Sequence, residues 1–81
     1  MQSLYVVSFV CEDLDHVLVT KHVCNVCSTR ALAIRYIRNQ GVSIDYRVPV
    51  SNSVRIPAFY NADRFYSYLI SKVPFYEKKK T

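Results

Sequence analysis

The chain opens on an almost unbroken apolar run, Leu4–Cys11, in which Ser8 is the only polar residue. β-Branched and aromatic side chains of this kind suit a pleated surface buried on both faces, so the run reads as a central strand. Glu12-Asp13-Leu14-Asp15 holds three of the six acidic residues and reads as a solvated turn. Val17–Val23 is strand-like again. Two such runs around a short polar break predict an antiparallel hairpin.

Ser28 or Thr29 then offers an N-cap ahead of RALAIRYIRNQ, and Gly41 stands where a helix ends. At about 100° per residue, Leu32, Ala33, Tyr36 and Ile37 share the apolar face, with Arg35 and Arg38 opposite. Val42–Val50 alternates: Val42, Ile44, Tyr46, Val48 and Val50 share one side, which describes a half-exposed strand. After Ser51-Asn52-Ser53, Val54–Tyr60 reads as an edge strand or an irregular one, because Pro57 has no N–H for a ladder. Asn61 is placed to cap a second helix, ADRFYSYLISKV, with Ala62, Phe65, Tyr66, Leu69, Ile70 and Val73 as its stripe and Pro74 as its stop. The expected architecture is one α+β domain over residues 1–81, ordered β-β-α-β-(β)-α. A mostly antiparallel sheet of three or four strands would carry two helices on one face, with a mobile basic tail at 78–81. An exposed sheet edge would let two copies pair strand to strand.

Composition narrows the function classes. A single glycine excludes a Walker loop and a dinucleotide fingerprint, which need several for close approach to phosphate. No apolar run reaches the ~20 residues of a membrane helix, and the first run lacks the basic flank and cleavage site of a signal peptide. The expected location is therefore cytoplasmic, with no membrane partner and no cofactor. The formal charge is +5, and all eleven Lys and Arg follow the acidic turn. A basic surface of this kind attracts nucleic acid or an acidic protein. Arg30, Arg35 and Arg38 on the first helix, Arg64 and Tyr68 on the second, and Arg47 and Arg55 from the sheet are the candidate contacts. Tyr76, Lys78, Lys79 and Lys80 add to them in the tail. Tyr5, Tyr36, Tyr46 and Tyr66 fall on core-facing positions. Tyrosine and arginine are enriched at interface hot spots, and both stack on bases. The pattern describes a non-enzymatic binding or inhibitory protein that docks on an acidic protein surface or on a nucleic-acid-binding site. Direct binding of DNA or RNA is the variant.

Three cysteines are an odd number, which fits reduced thiols rather than a disulfide framework. Cys11 reads as a small buried hydrophobe. Cys24-Asn25-Val26-Cys27 follows a strand and precedes a helix, where backbone N–H groups favour a thiolate. This unit resembles glutaredoxins and thioredoxins, and Arg55–Tyr60 looks like the proline-led strand of that family. The resemblance implies Cys24 as nucleophile, Cys27 as resolving thiol and Pro57 as a cis-proline. The spacing from Cys27 to Pro57 leaves no room for the second helix of that fold. Cys11, His22, Cys24 and Cys27, or His16 in place of Cys11, could alternatively supply four ligands of the kind zinc takes. The order strand, acidic turn, strand, capped helix and alternating strand over Leu4–Val50 also resembles small orphan proteins of bacteriophage genomes. That likeness implies a protein that blocks a host or defence component in the host-cell cytoplasm.

Overall fold

The apolar runs pair into one sheet in the computed structural model, which describes Gln2–Phe75. The elements are β1 (Gln2–Glu12), β2 (Leu18–Cys27), α1 (Arg30–Asn39), β3 (Ser53–Asn61) and β4 (Arg64–Phe75). Their order across the sheet is β2-β1-β4-β3, and every neighbouring pair is antiparallel. β1, apolar on both faces, is central as its composition requires. It pairs with β4 from Gln2↔Phe75 to Glu12↔Phe65 without a register shift.

The first hairpin closes on Asp13. Its Oδ1 accepts from the N–H groups of Asp15 and Val17, both at 2.9 Å, so the acidic turn is organised by its own carboxylate. Thr29 caps α1: its Oγ1 accepts from the Leu32 N–H at 3.2 Å. Gly41, with φ +90°, follows the end of the helix in a conformation that L-residues rarely adopt. The stripe of α1 that enters the core is Ala33, Ile34 and Ile37, all fully buried. Leu32, expected in that stripe, is 45% exposed.

Two expected elements are overturned, and with them the two-helix β-β-α-β-(β)-α arrangement. Where a second helix is expected over residues 62–73, the chain makes a turn at Ala62-Asp63 and then the strand β4, Arg64–Phe75. Phe65, Tyr66, Leu69, Ile70 and Val73 satisfy a helical period, but Tyr66, Tyr68 and Ile70 also alternate with Ser67, Leu69 and Ser71. Aromatic and β-branched content favours the pleated alternative, and two exposed flanks of β1 and β3 are available to pair with it. Asn61 opens a two-residue hairpin turn rather than a helix. Ala62 (φ 51°) and Asp63 (φ 62°) both lie in the left-handed region, as a type I′ turn demands. Alanine is the misfit there, because a left-handed L-residue costs ~1–2 kcal/mol. Ala62→Asn is expected to raise stability by ~1 kcal/mol, read as a higher urea midpoint at constant slope. A lower midpoint would contradict the turn assignment.

The second correction concerns Val42–Val50, which is a loop. Ile44 and Val50 are buried and Val42 and Val48 pack on the core, so the alternation is real. Among the described residues no strand pairs with this segment, however, and arginine side chains take the place of a ladder. One terminal nitrogen of Arg30 donates to the Tyr46 and Val48 carbonyls, each at 2.6 Å, and Arg38 donates to the Ile44 carbonyl. The Arg38 guanidinium also sits 4.6 Å above the Tyr46 ring, which is half-exposed rather than core-facing.

The core lies between α1 with its following loop and one half of the sheet. Val7, Cys27, Ile34, Ile37, Ile44, Ile56 and Ile70 are among its members. β4 has twelve residues, ~40 Å of strand, whereas the ten residues of α1 span only ~15 Å. The molecule is accordingly elongated, 53 × 25 × 18 Å. The helix covers one half of its face of the sheet and leaves the half toward the two hairpin turns open.

Candidate functional site

The open half carries a row of rings. On the helix side of the sheet, His22 of β2 stands opposite Phe9 of β1, Phe9 opposite Tyr68 of β4, and Tyr66 opposite Phe59 of β3. Phe59 stacks on Tyr66 with centroids 4.5 Å apart, and Tyr66 on Phe9 at 5.6 Å. Tyr68 and His22 tilt against Phe9 at 5.0 and 5.8 Å. The row crosses all four strands and ends at Phe59, which is 54% exposed. A bulge at Ala58 lets Phe59 join this face; without it, strand alternation from Ile56 would point Phe59 to the other side.

The reverse face at the same end holds a cleft of about 300 Å³. Glu12, the last residue of β1, lies in it with its side chain only 10% exposed. Its Oε1 accepts from Arg55 Nη1 at 2.5 Å, and His16 Nδ1 lies 3.8 Å away. Arg55 belongs to β3, two strands from β1, so its side chain must cross β4. Ser67 of β4, small and buried, lines the same cleft as both side chains. Phe65 forms a wall, stacked on His16 at 5.1 Å and tilted against Tyr60 at the same distance. Tyr60 donates its O–H to Asp63 Oδ1 at 3.1 Å, and hydrogen bonding to that carboxylate raises the phenol above its ordinary range. The site is apolar and aromatic with one nearly buried ion pair.

The sequence-derived contacts scatter. Arg30 and Arg38 are occupied by loop carbonyls, and Arg47 by Asp45 through a 2.9 Å ion pair. That hydrogen bonding to Arg47 holds the Asp45 carboxyl below its usual range. Arg55 faces Glu12 in the cleft. Arg35 is exposed, and Arg64 is half-buried on the Tyr66 side of β4. Tyr68 packs on the core, where burial raises its phenol. Tyr76, Lys78, Lys79 and Lys80 lie outside the described residues.

The cysteines are also distributed along strands. Cys24 and Cys27 lie within β2, separated from α1 by Ser28 and the Thr29 cap, so neither sits on the helix N-terminus. Burial pushes the Cys27 thiol up, away from the thiolate a redox nucleophile needs. Pro57 is on β3, the opposite edge of the sheet from β2, and no peptide bond among the described residues is cis. Among the described residues no three His, Cys, Asp or Glu side chains converge as metal ligands. Cys11 pairs with Thr20 and His22 with Phe9, which spreads the expected zinc set along the hairpin.

Sequence reasoning missed Glu12 and Phe65. Glu12 was grouped with the solvated turn, although it continues the inward phase of Ser8 and Val10. Phe65 was assigned to a helix stripe. No protein-family model matches the chain, and no curated protein or solved structure matches it.

Proposed function

We propose that this chain is a non-enzymatic binding protein that docks on a partner protein through the uncovered, aromatic half of its sheet. The observation that carries the reading is the concentration of rings on both faces of that half, with Phe59 54% and Tyr60 55% exposed. A sheet half with no covering layer loses less by burial against a partner than by remaining wet, and aromatic anchors dominate such interfaces. Charge favours protein over nucleic acid at this end. Lys21, Arg55 and Arg64 are set against Glu12, Asp13, Asp15 and Asp63, so phosphate would gain little there. The opposite end is basic: among the described residues Arg30, Arg35, Arg38, Arg47 and Lys72 are set against Asp45 alone, and this field would steer an acidic partner. The part of the likeness to phage-encoded proteins that remains, strand, acidic turn, strand and capped helix without the alternating strand, extends the proposal to a blocked host or defence component.

The test compares the wild type with Phe59→Ala/Tyr60→Ala in affinity capture from a lysate, at equal concentrations of folded protein. Both rings are exposed, so the fold should survive their truncation. Removing two hot-spot rings is expected to lower retention of the captured partner by about tenfold or more. Equal retention by the two proteins overturns the reading. A retained species that nuclease removes, and that salt releases steeply, points instead to direct nucleic-acid binding.

A further inference from the structure

We infer that the free edge of β2, together with α1, forms a docking groove for an extended acidic peptide, which adds to the sheet as a fifth strand. This surface is separate from the aromatic end. β2 pairs with β1 on one side and, among the described residues, with no strand on the other, so its outward backbone groups are open to a ladder except the Val26 N–H, which donates to Asn25 Oδ1 at 2.9 Å and would have to be released. Beside the C-terminal part of β2 lies a groove of about 640 Å³. Its wall is one helical stripe, Leu32, Arg35, Tyr36 and Asn39, at the i, i+3, i+4, i+7 positions that share a face. Asn25 and Val26 line the strand side. Leu32 and Val26 are each about half exposed, so the groove offers apolar contact in addition to the ladder.

Charge selects the occupant. β2 and α1 together contain Lys21, Arg30, Arg35 and Arg38 and no carboxylate. Arg30 and Arg38 spend their donors on the loop but keep their charge. Arg35 is exposed and forms no ion pair among the described residues. In an added strand every second side chain would point to the helix side, where an Asp or Glu meets Arg35. A second copy of this chain is the wrong occupant, because pairing β2 with itself brings like charges onto one seam with nothing to offset them. β3, the other edge, carries Pro57, which removes a ladder donor, as well as a bulge at Ala58; β2 has bulges at Val19 and Cys24 but no proline.

The probe is a fluorescein-labelled pool of decapeptides with Val, Ile or Thr at alternate positions and Asp or Glu between them. A matched pool carries Lys in place of the acids. By polarisation, the wild type is expected to bind the acidic pool about tenfold or more tightly than the lysine pool. Arg35→Glu is expected to reduce that preference severalfold. Amide hydrogen exchange should slow within Leu18–Cys27 on binding, and Phe59→Ala/Tyr60→Ala should bind the pool as the wild type does. Equal affinity for the two pools, no binding of either, or an unchanged preference in Arg35→Glu overturns the proposal. So does a peptide-free dimer with protected β2 amides, which would make a second copy the occupant. Because the aromatic-end variant is silent here, failure of the groove and failure of the aromatic surface are read separately.

Discussion

Arg30→Ala is expected to destabilise the protein by roughly 2–4 kcal/mol, since hydrogen bonds from a charged donor contribute about 1.5–3 kcal/mol each and the two are not fully additive. One nitrogen of the half-buried Arg30 holds the carbonyls of both Tyr46 and Val48. No strand stands ready to accept those groups when the guanidinium is gone. The loop they belong to carries Ile44 and Val50 into the core, so the loss propagates to buried apolar surface. Arg30→Lys should fall between the two, because an ammonium lacks the planar fork that keeps a fixed reach to two neighbouring carbonyls. Urea unfolding would report the change as a shifted midpoint, and amide exchange would show whether Val42–Val50 opens first. A shift below about 0.5 kcal/mol, the ordinary effect of a surface substitution, would mean that the arginine does not hold the loop.

Arg55→Ala is expected to cost about 2–3 kcal/mol. Breaking a fully buried ion pair by removing one partner costs about 3–5 kcal/mol, and the 46% exposure of Arg55 screens part of that. The larger share of the penalty belongs to Glu12, whose side chain is only 10% exposed and keeps only His16 nearby. Removing the charge as well should therefore restore stability. Glu12→Gln/Arg55→Ala is expected to be more stable than Arg55→Ala alone, with a coupling of about 1–2 kcal/mol in the double-mutant cycle. Additive losses would show that the carboxylate is solvated in spite of its position. Since Ser67 is buried and lines the same cleft as Glu12 and Arg55, Ser67→Leu should crowd the pair and give a loss similar to that of Arg55→Ala.

The parts of the fold legible in the sequence are those where one local pattern admitted one structure. β1 is apolar on both faces, Thr29 precedes a periodic run, Gly41 follows it, and Pro57 marks an edge. ADRFYSYLISKV admitted two structures, since its apolar positions satisfy both periods. The decision came from partners far along the chain, and from a turn whose left-handed residues are Ala62 and Asp63 rather than Asn-Gly. Val42–Val50 alternates because it has a buried side, and alternation reports burial rather than strand pairing. The arginines were legible as charge but not as donors: Arg30, Arg38 and Arg55 each find an acceptor that only the tertiary fold brings near. Glu12 was hidden by its neighbours Asp13 and Asp15, which made a strand end look like part of a turn.

The order of strands also governs when the sheet can form as the chain is made. β1 and β4 are the two central strands, yet they are the first and the last of the four in sequence. On a ribosome the β1–β2 hairpin and α1 emerge early, with one long flank of β1 unpaired until Arg64–Phe75 is synthesised. Closing that pair joins residues as distant as Gln2 and Phe75, which places the slowest step, the one of largest entropy cost, after the other three strands have been made. Until then the nascent chain presents a sticky, half-finished template to any other extended segment nearby. Expression at high rate should therefore favour aggregation through β1 before β4 arrives, and slower translation should increase the yield of folded protein.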